Sequence, residues 1–188
     1  MRKILFVLLA AMLVAMGTYA QKVNYGFKSG LNISTAHTGF QPGVYAGGFA
    51  EIKLNNHWTI QPELLYYRNR DKSPYYLQDT KQYKEKGTDY IAVPVMVKYY
   101  IKPKLYVEGG PEVNLITSAK ETWEGHVSNA THTYNQLGLS GSVGVGYQLP
   151  LGFGVNARYS LGTQSRNSPV DIYNSTVKVG VSYTIPRK

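Results

Sequence analysis

The chain has 188 residues, no cysteine, 17 tyrosines and 19 glycines, and it carries a formal charge of +9. The lack of cysteine excludes disulfides and any lipid attached through a thiol. The basic residues are dispersed along a chain that we expect to be exported, and both features argue against a nucleic-acid partner. Anionic lipid headgroups are a better partner for the positive charge.

The first segment predicts export. A basic start at Met1–Lys3 precedes an apolar run from Ile4 to Met16, and small residues Thr18 and Ala20 follow. That apolar run is about 13 residues long, whereas a spanning helix needs about 20. We therefore expect a cleavable signal peptide over residues 1–20 and one domain over residues 21–188.

From Val23 onward, apolar side chains alternate with polar or small ones. In residues 23–34, the side chains of Tyr25, Phe27 and Leu31 alternate with those of Lys28 and Asn32. This period of two residues is that of a strand with two different faces. The same alternation recurs seven more times. The predicted strands cover residues 23–34, 44–54, 58–67, 91–101, 105–115, 137–149, 153–161 and 177–185.

The links between these strands alternate in length. Three are tight turns, at residues 55–57, 102–104 and 150–152, and four are longer, at about residues 35–41, 71–88, 117–135 and 162–176. Short turns at one end and long loops at the other are typical of a barrel that crosses a bilayer. The prediction is an all-β fold: an eight-stranded antiparallel up-and-down transmembrane β-barrel, closed because lipid cannot satisfy an open sheet edge.

Charge on the polar face separates this fold from a soluble barrel. The predicted inward-facing ionisable residues are Lys28, Glu51, Lys53, Glu63, Lys98, Glu108, Glu112, Arg158 and Lys178, while the outward faces of the same predicted strands carry no charge. A dry core could not hold so many charges, but a membrane barrel can pair them in its lumen. We expect a network of lumen ion pairs, with Tyr45, Phe49, Leu65, Tyr67, Tyr100 and Tyr106 filling the remaining space and leaving no wide channel.

Outward-facing aromatic residues cluster near the short-turn ends of the strands. They are Tyr25, Trp58, Tyr99, Tyr147, Phe153 and Tyr183. Aromatic rings concentrate at membrane–water interfaces, so this set predicts a girdle at one interface.

Four motifs resemble those of one known family. They are Gly-Phe-Lys-Ser-Gly-Leu-Asn at 26–32, Gln-Pro-Glu-Leu-Leu-Tyr at 61–66, Ile-Ala-Val-Pro-Val with Lys-Tyr-Tyr within 91–100, and Tyr-Val-Glu-Gly-Gly-Pro at 106–111. The sequence resembles the PorT-like outer-membrane β-barrel family of Bacteroidetes. The resemblance implies a place in the outer membrane of a Gram-negative envelope, surrounded by lipid and lipopolysaccharide and inserted by the barrel-assembly machinery. It implies no particular activity.

No pattern of catalytic or ligating residues stands out. His126 and His132 share a loop with Glu124, but their spacing is not that of a structural zinc site. Glu108 and Glu112 would lie about 13 Å apart along one strand, beyond the separation that glycosidases use. We therefore expect no metal, no cofactor and no enzymatic activity.

The sequence leaves several functions open. We expect a structural or interaction protein whose loops at residues 71–88 and 117–135 contact an external protein or glycan. Basic residues interleaved with tyrosine at 71–88 suit an acidic glycan or a lipopolysaccharide phosphate. The alternatives are a narrow conduit for small solutes and a membrane-embedded envelope enzyme.

Overall fold

Alternating side chains produce long antiparallel strands in the computed structural model, which describes residues 23–36, 39–77, 80–123, 126–129, 137–163 and 173–186. The strands are β1 (Val23–Ala36), β2 (Gly39–Lys53), β3 (Trp58–Leu77), β4 (Thr80–Tyr100), β5 (Leu105–Trp123), β6 (His126–Asn129), β7 (Leu137–Gln148), β8 (Phe153–Thr163) and β9 (Tyr173–Thr184). The expected signal peptide, residues 1–20, lies outside the described residues.

The sheet closes on itself. Each barrel strand pairs antiparallel with its neighbours, and β1 pairs with β9, with Gly26 opposite Thr184 and Thr35 opposite Ser175. The short strand β6 pairs with the end of β5 beyond the barrel wall, and β7 takes the next place in the wall. The predicted eight-stranded antiparallel barrel is confirmed. Among the described residues, no helix has the length and apolar character needed to cross a bilayer.

Three of the predicted long loops are wrong in part. The segment 35–41 is mostly strand, since Ala36 pairs with Gly39, and 71–88 is a long hairpin in which Leu77 pairs with Thr80. Within 117–135, β5 continues to Trp123 and β6 pairs with it. Backbone pairing continues into the polar sequence beyond the membrane because a ladder needs no apolar face once water surrounds it.

The short turns are tightly built. Asn55 accepts hydrogen bonds through Oδ1 from the backbone amides of His57 and Trp58, both at 2.9 Å. In the turn Pro150–Gly152, Gly152 has a φ of 85°, and a side chain there would meet the carbonyl oxygen of Thr184. Glycine is therefore required at this position.

The burial pattern is the reverse of that in a soluble protein. Large apolar side chains on the outer face are exposed, for example Phe27 at 65% and Leu139 at 59%. Tyrosines, charged groups and amides fill the interior, with an apolar cluster of Tyr45, Leu65, Tyr67 and Ala92. Such an outer surface is stable in lipid and not in water.

Candidate functional site

A buried cluster of charges occupies the centre of the lumen. Arg158 on β8 holds Glu63 through Nη2–Oε1 (2.6 Å) and Nη1–Oε2 (2.9 Å). The same guanidinium reaches Glu108 on β5 through Nε–Oε1 at 2.6 Å, and Lys28 on β1 approaches Glu63 at 3.0 Å. Planar guanidinium groups suit two carboxylates at once because they present several donors in one plane. The cluster joins strands on opposite sides of the barrel.

Two further ion pairs flank this centre. Lys98 on β4 lies 2.8 Å from Glu51 on β2, and Lys178 on β9 lies 2.8 and 2.7 Å from the two carboxylate oxygens of Glu112 on β5. The eight residues of the central cluster and flanking pairs are buried, and they comprise four carboxylates and four cations. The lumen is therefore charge-balanced, which a low-dielectric interior demands.

Lys53, expected in the same network, lies elsewhere. Its side chain is exposed at the short-turn end, and it makes no ion pair with another described residue. The alternation places it on the inward face of β2, but β2 has already reached the mouth of the barrel at this residue. The expected place of Lys53 in the ion-pair network is wrong.

Aromatic rings fill the space around the charges. Tyr67 stacks between Tyr45 and Tyr90, with ring centroids 5.1 and 4.6 Å apart. The ammonium of Lys98 lies 4.4 Å from the ring centroid of Tyr106, and that of Lys178 lies 4.9 Å from Tyr67. Rings and cations attract each other in this geometry. Ion pairs and aromatic rings together plug the lumen, as predicted.

Neutral polar residues that are not among the predicted lumen residues complete the network. Asn32 donates to Asn69 at 2.9 Å, Gln61 donates to Glu63 at 2.5 Å, and the hydroxyls of Ser142 and Ser160 lie 2.7 Å apart. Their positions follow the same alternation as the charges, so strand parity was the available signal.

The six predicted girdle aromatics lie on the outer face. Five of these side chains are between 39% (Tyr99) and 61% (Tyr25) exposed, and Tyr183 is partly exposed. Trp58 packs against Tyr99 at 4.8 Å, and Phe153 packs against Tyr183 at 5.1 Å. The structure thus brings four of them together in two pairs at the short-turn end.

Charge on the outer wall is confined, among the described side chains, to one place on β3 and β4. Asp89 lies 3.3 Å from Arg68 Nε and 3.3 Å from Arg70 Nη1. About ten residues separate Trp58 from Arg68, and a strand tilted by about 40° climbs about 25 Å over that length, the height of the apolar band. The two arginines therefore stand at the level of the opposite membrane interface.

Among the described residues, the candidate metal-binding and catalytic residues form no site. No group of three or more histidine, aspartate or glutamate side chains among the described residues could hold a metal. Glu124 and His132 lie outside the described residues, and of His126 the backbone alone is described. Glu108 and Glu112 belong to different ion pairs, with Arg158 and Lys178 respectively.

Comparison with known proteins identifies the family. The model of the outer membrane protein beta-barrel domain matches residues 19–165. The chain belongs to this family. As an outer-membrane barrel it has its short turns at the periplasmic end and its longer hairpins at the extracellular end. A search of curated proteins finds no match.

Solved structures share the fold of this outer-membrane barrel. The Neisserial surface protein A, NspA, is 14% identical with a TM-score of 0.59, over 87% of this chain and 97% of that one. Ail, the attachment invasion locus protein of Yersinia pestis, was solved in complex with the heparin analogue sucrose octasulfate. It is 14% identical with a TM-score of 0.51, over 87% of this chain and 97% of that one.

Proposed function

We propose that this outer-membrane barrel is a non-enzymatic structural and interaction protein that acts through its surface and not through its pore. The observation that carries the proposal is the sealed lumen: Arg158, Glu63 and Glu108 meet in its centre, and stacked tyrosines fill the space beside them. A solute would have to break these buried pairs to pass, and breaking a buried pair is costly.

The extracellular end offers the surface for interaction. Strands β3 and β4 continue as a paired hairpin to Leu77 and Thr80, and Glu85–Asp89 of β4 pairs with the upper part of β5. This paired backbone supports the segment 71–88, which carries Lys72, Lys81, Lys84 and Lys86 among its tyrosines. We propose an external anionic glycan or acidic protein as the partner of this segment and of 117–135. The heparin analogue bound by Ail, a barrel of the same fold, supports an anionic glycan.

The outer leaflet is the second partner. Arg68, Arg70 and Asp89 leave one positive charge in excess at the extracellular membrane interface. Lipopolysaccharide phosphates lie at that level, and guanidinium groups bind phosphate well. We propose that this patch contacts them. Insertion by the barrel-assembly machinery is part of the same proposal.

The finer family assignment and the export signal are also proposals. Four motifs, within residues 26–32, 61–66, 91–100 and 106–111, support a PorT-like member of Bacteroidetes. A signal peptide over residues 1–20 is supported by its basic start and short apolar run. Amino-terminal sequencing of the membrane-bound protein should begin at Gln21, and a start at Met1 would contradict cleavage.

Liposome swelling distinguishes a sealed barrel from a conduit. Vesicles containing the folded protein should swell in isotonic sugar solutions no faster than protein-free vesicles, while vesicles containing an open porin swell rapidly. Planar-bilayer recordings should show no long-lived conductance. A stable, large conductance from the wild-type protein would refute the sealed lumen and favour the conduit.

Sucrose octasulfate tests the extracellular surface. Calorimetric titration of the barrel in zwitterionic detergent should detect binding that weakens with salt. Binding should fall at least tenfold when the four hairpin lysines become glutamine. The matched control, Lys104→Gln, removes charge from the periplasmic turn outside the lining of any described cavity and should leave binding unchanged. Equal affinities in the two variants would argue against the hairpin as the glycan site.

A further inference from the structure

A polar cavity opens at the periplasmic mouth of the barrel. It measures about 420 Å³ and lies between the turn after β2, the turn after β4 and the end of β7. Its lining includes Lys53, His57, Thr59, Tyr100, Lys102 and Gln148. This volume falls in the range of small-molecule sites, about 300–1,000 Å³. We call this cavity the periplasmic vestibule.

The vestibule carries uncompensated positive charge. Lys53 ends β2 and Lys102 lies in the turn after β4, and no carboxylate occurs among the described residues of the lining. Glu51, two residues deeper on the same face of β2, is buried and bound to Lys98 at 2.8 Å. Because every lumen carboxylate is already paired, Lys53 has no acidic partner among the described residues. Concave sites with one sign of charge concentrate ligands of the opposite sign.

Hydrogen-bond donors face the same space. Gln148 Nε2 donates to the hydroxyl oxygen of Tyr100 at 2.8 Å, so the tyrosine hydroxyl hydrogen is left to donate to another acceptor. The wall is held in place by the backbone hydrogen bond from Tyr100 N to His57 O at 2.8 Å. Asn55 Oδ1 fixes the same turn. The Tyr100 hydroxyl and the turn beside it are therefore held in place, which lowers the entropic cost of binding.

The position of the vestibule determines what reaches it. Lipid headgroups surround the outer wall, where Trp58 and Tyr99 lie, whereas the vestibule opens inside the ring of strands. A ligand must therefore come from the aqueous periplasm. We propose that the vestibule binds the anionic group, carboxylate or phosphate, of a periplasmic molecule, with Lys53 and Lys102 supplying the charge. This site lies at the opposite end from the surface of the proposed function and does not depend on it.

The test uses the full barrel in zwitterionic detergent at low ionic strength. The probes are inorganic phosphate and N-acetyl-Ala-Ala with a free carboxylate, and the amide of the same dipeptide is the neutral control. Amide signals of residues 53–59 and 100–103 and the side-chain amide signal of Gln148 should shift on titration with at least one anion. The neutral amide should shift none of them. Whichever anion binds assigns the chemistry of the site.

Variants locate the binding. Lys53→Gln with Lys102→Gln should lower the affinity at least tenfold, and Lys53→Arg should retain it. Lys104→Gln, in the turn after β4 but outside the vestibule lining, is the matched control and should change nothing. Both lysines of the vestibule are exposed, and a heat-modifiability gel checks that each variant is folded. The proposal is overturned if neither anion binds the wild-type protein, if the neutral amide binds equally, or if the double glutamine variant keeps full affinity.

Discussion

Arg158 and Glu63 are 95 residues apart in sequence, yet their side chains form a bidentate pair across the lumen, with N–O distances of 2.6 and 2.9 Å. One belongs to β8 and the other to β3, which are not neighbours in the wall. The pair therefore connects the barrel through its interior, independently of the backbone ladder. The carboxylate of Glu108 accepts hydrogen bonds from Nε and Nη2 of the same guanidinium.

Replacing Arg158 with alanine should destabilise the barrel strongly. Glu63 and Glu108 would then share a buried site in which Lys28 is the cation paired with Glu63, and removing one partner of a buried pair costs about 3–5 kcal/mol. Urea unfolding in detergent micelles, followed by tryptophan fluorescence, measures the loss. Arg158→Met combined with Glu108→Gln keeps the Lys28–Glu63 pair and should recover part of it. A midpoint and heat-modifiable mobility equal to wild type in Arg158→Ala would contradict an ion-paired lumen.

Lys98 and Glu51 should be energetically coupled. They pair across β3, and each is buried. In a double-mutant cycle of Lys98→Met and Glu51→Gln, the double variant should lose less stability than the sum of the singles, by about 0.5–3 kcal/mol. The control cycle joins Lys98→Met with Glu112→Gln, whose partner is Lys178. Additive losses in the first cycle would show that the pair contributes nothing of its own.

Gly180 should resist substitution because Tyr45 lies over it. A Cβ at this position would overlap the tyrosine hydroxyl and lie 3.0 Å from the carbonyl oxygen of Ser29. Gly180→Ala should cost about 1–3 kcal/mol through overpacking. Adding Tyr45→Phe removes the hydroxyl and should restore part of the loss. Gly141→Ala, where a Cβ meets nothing within 4 Å, is the matched control and should be close to neutral.

Trp58 should report the depth of the girdle. In a Trp123→Phe variant, the tryptophan fluorescence comes from Trp58 alone. The Trp58 side chain is 44% exposed on the outer wall, beside Tyr99. Lipids labelled with a quencher near the headgroup should quench it more than lipids labelled near the chain end. Stronger quenching by the deep label would place this end of the strands inside the hydrocarbon core and refute the girdle.

The arginine patch should retain phosphorylated lipid. Arg68→Gln with Arg70→Gln leaves Asp89 as the remaining charge there and should reduce the lipopolysaccharide that copurifies with the barrel from native membranes, measured by mass spectrometry. The control Lys102→Gln with Lys104→Gln lies at the other leaflet. If the arginine variant copurifies with as much lipopolysaccharide as the wild-type protein, the patch is not a lipopolysaccharide contact.

Strand parity was enough to predict the barrel and most of its interior. It placed Lys28, Glu63 and Arg158 on one face because a strand has a fixed period of two. It could not show which cation meets which carboxylate, since that depends on how the strands tilt around the closed barrel. Arg158 therefore had no predicted partner, although both of its carboxylates were on the list of inward residues.

The predictions that are wrong concern residues at which a strand leaves the lipid. Lys53 keeps the inward parity of Glu51, but alternation does not record the depth at which a side chain reaches open water. The hairpin at 71–88 was expected to be a loop because its polar residues show no alternation of hydrophobicity, yet its backbone pairs as far as Leu77 and Thr80. The alternation of hydrophobicity therefore marks the part of a strand that lies in the membrane and not the full length of the strand.

The pairing of β1 with β9 closes the barrel through two strands that are far apart in sequence. The hydroxyls of Ser34 and Thr176 meet at 2.9 Å although 142 positions separate them, so this seam cannot form until synthesis has passed the last strand. Every earlier intermediate exposes two unpaired strand edges, which hydrocarbon does not tolerate. Contacts of such long range also form slowly. An intermediate without this seam is therefore unstable in hydrocarbon, and the barrel is closed only when β1 and β9 have paired.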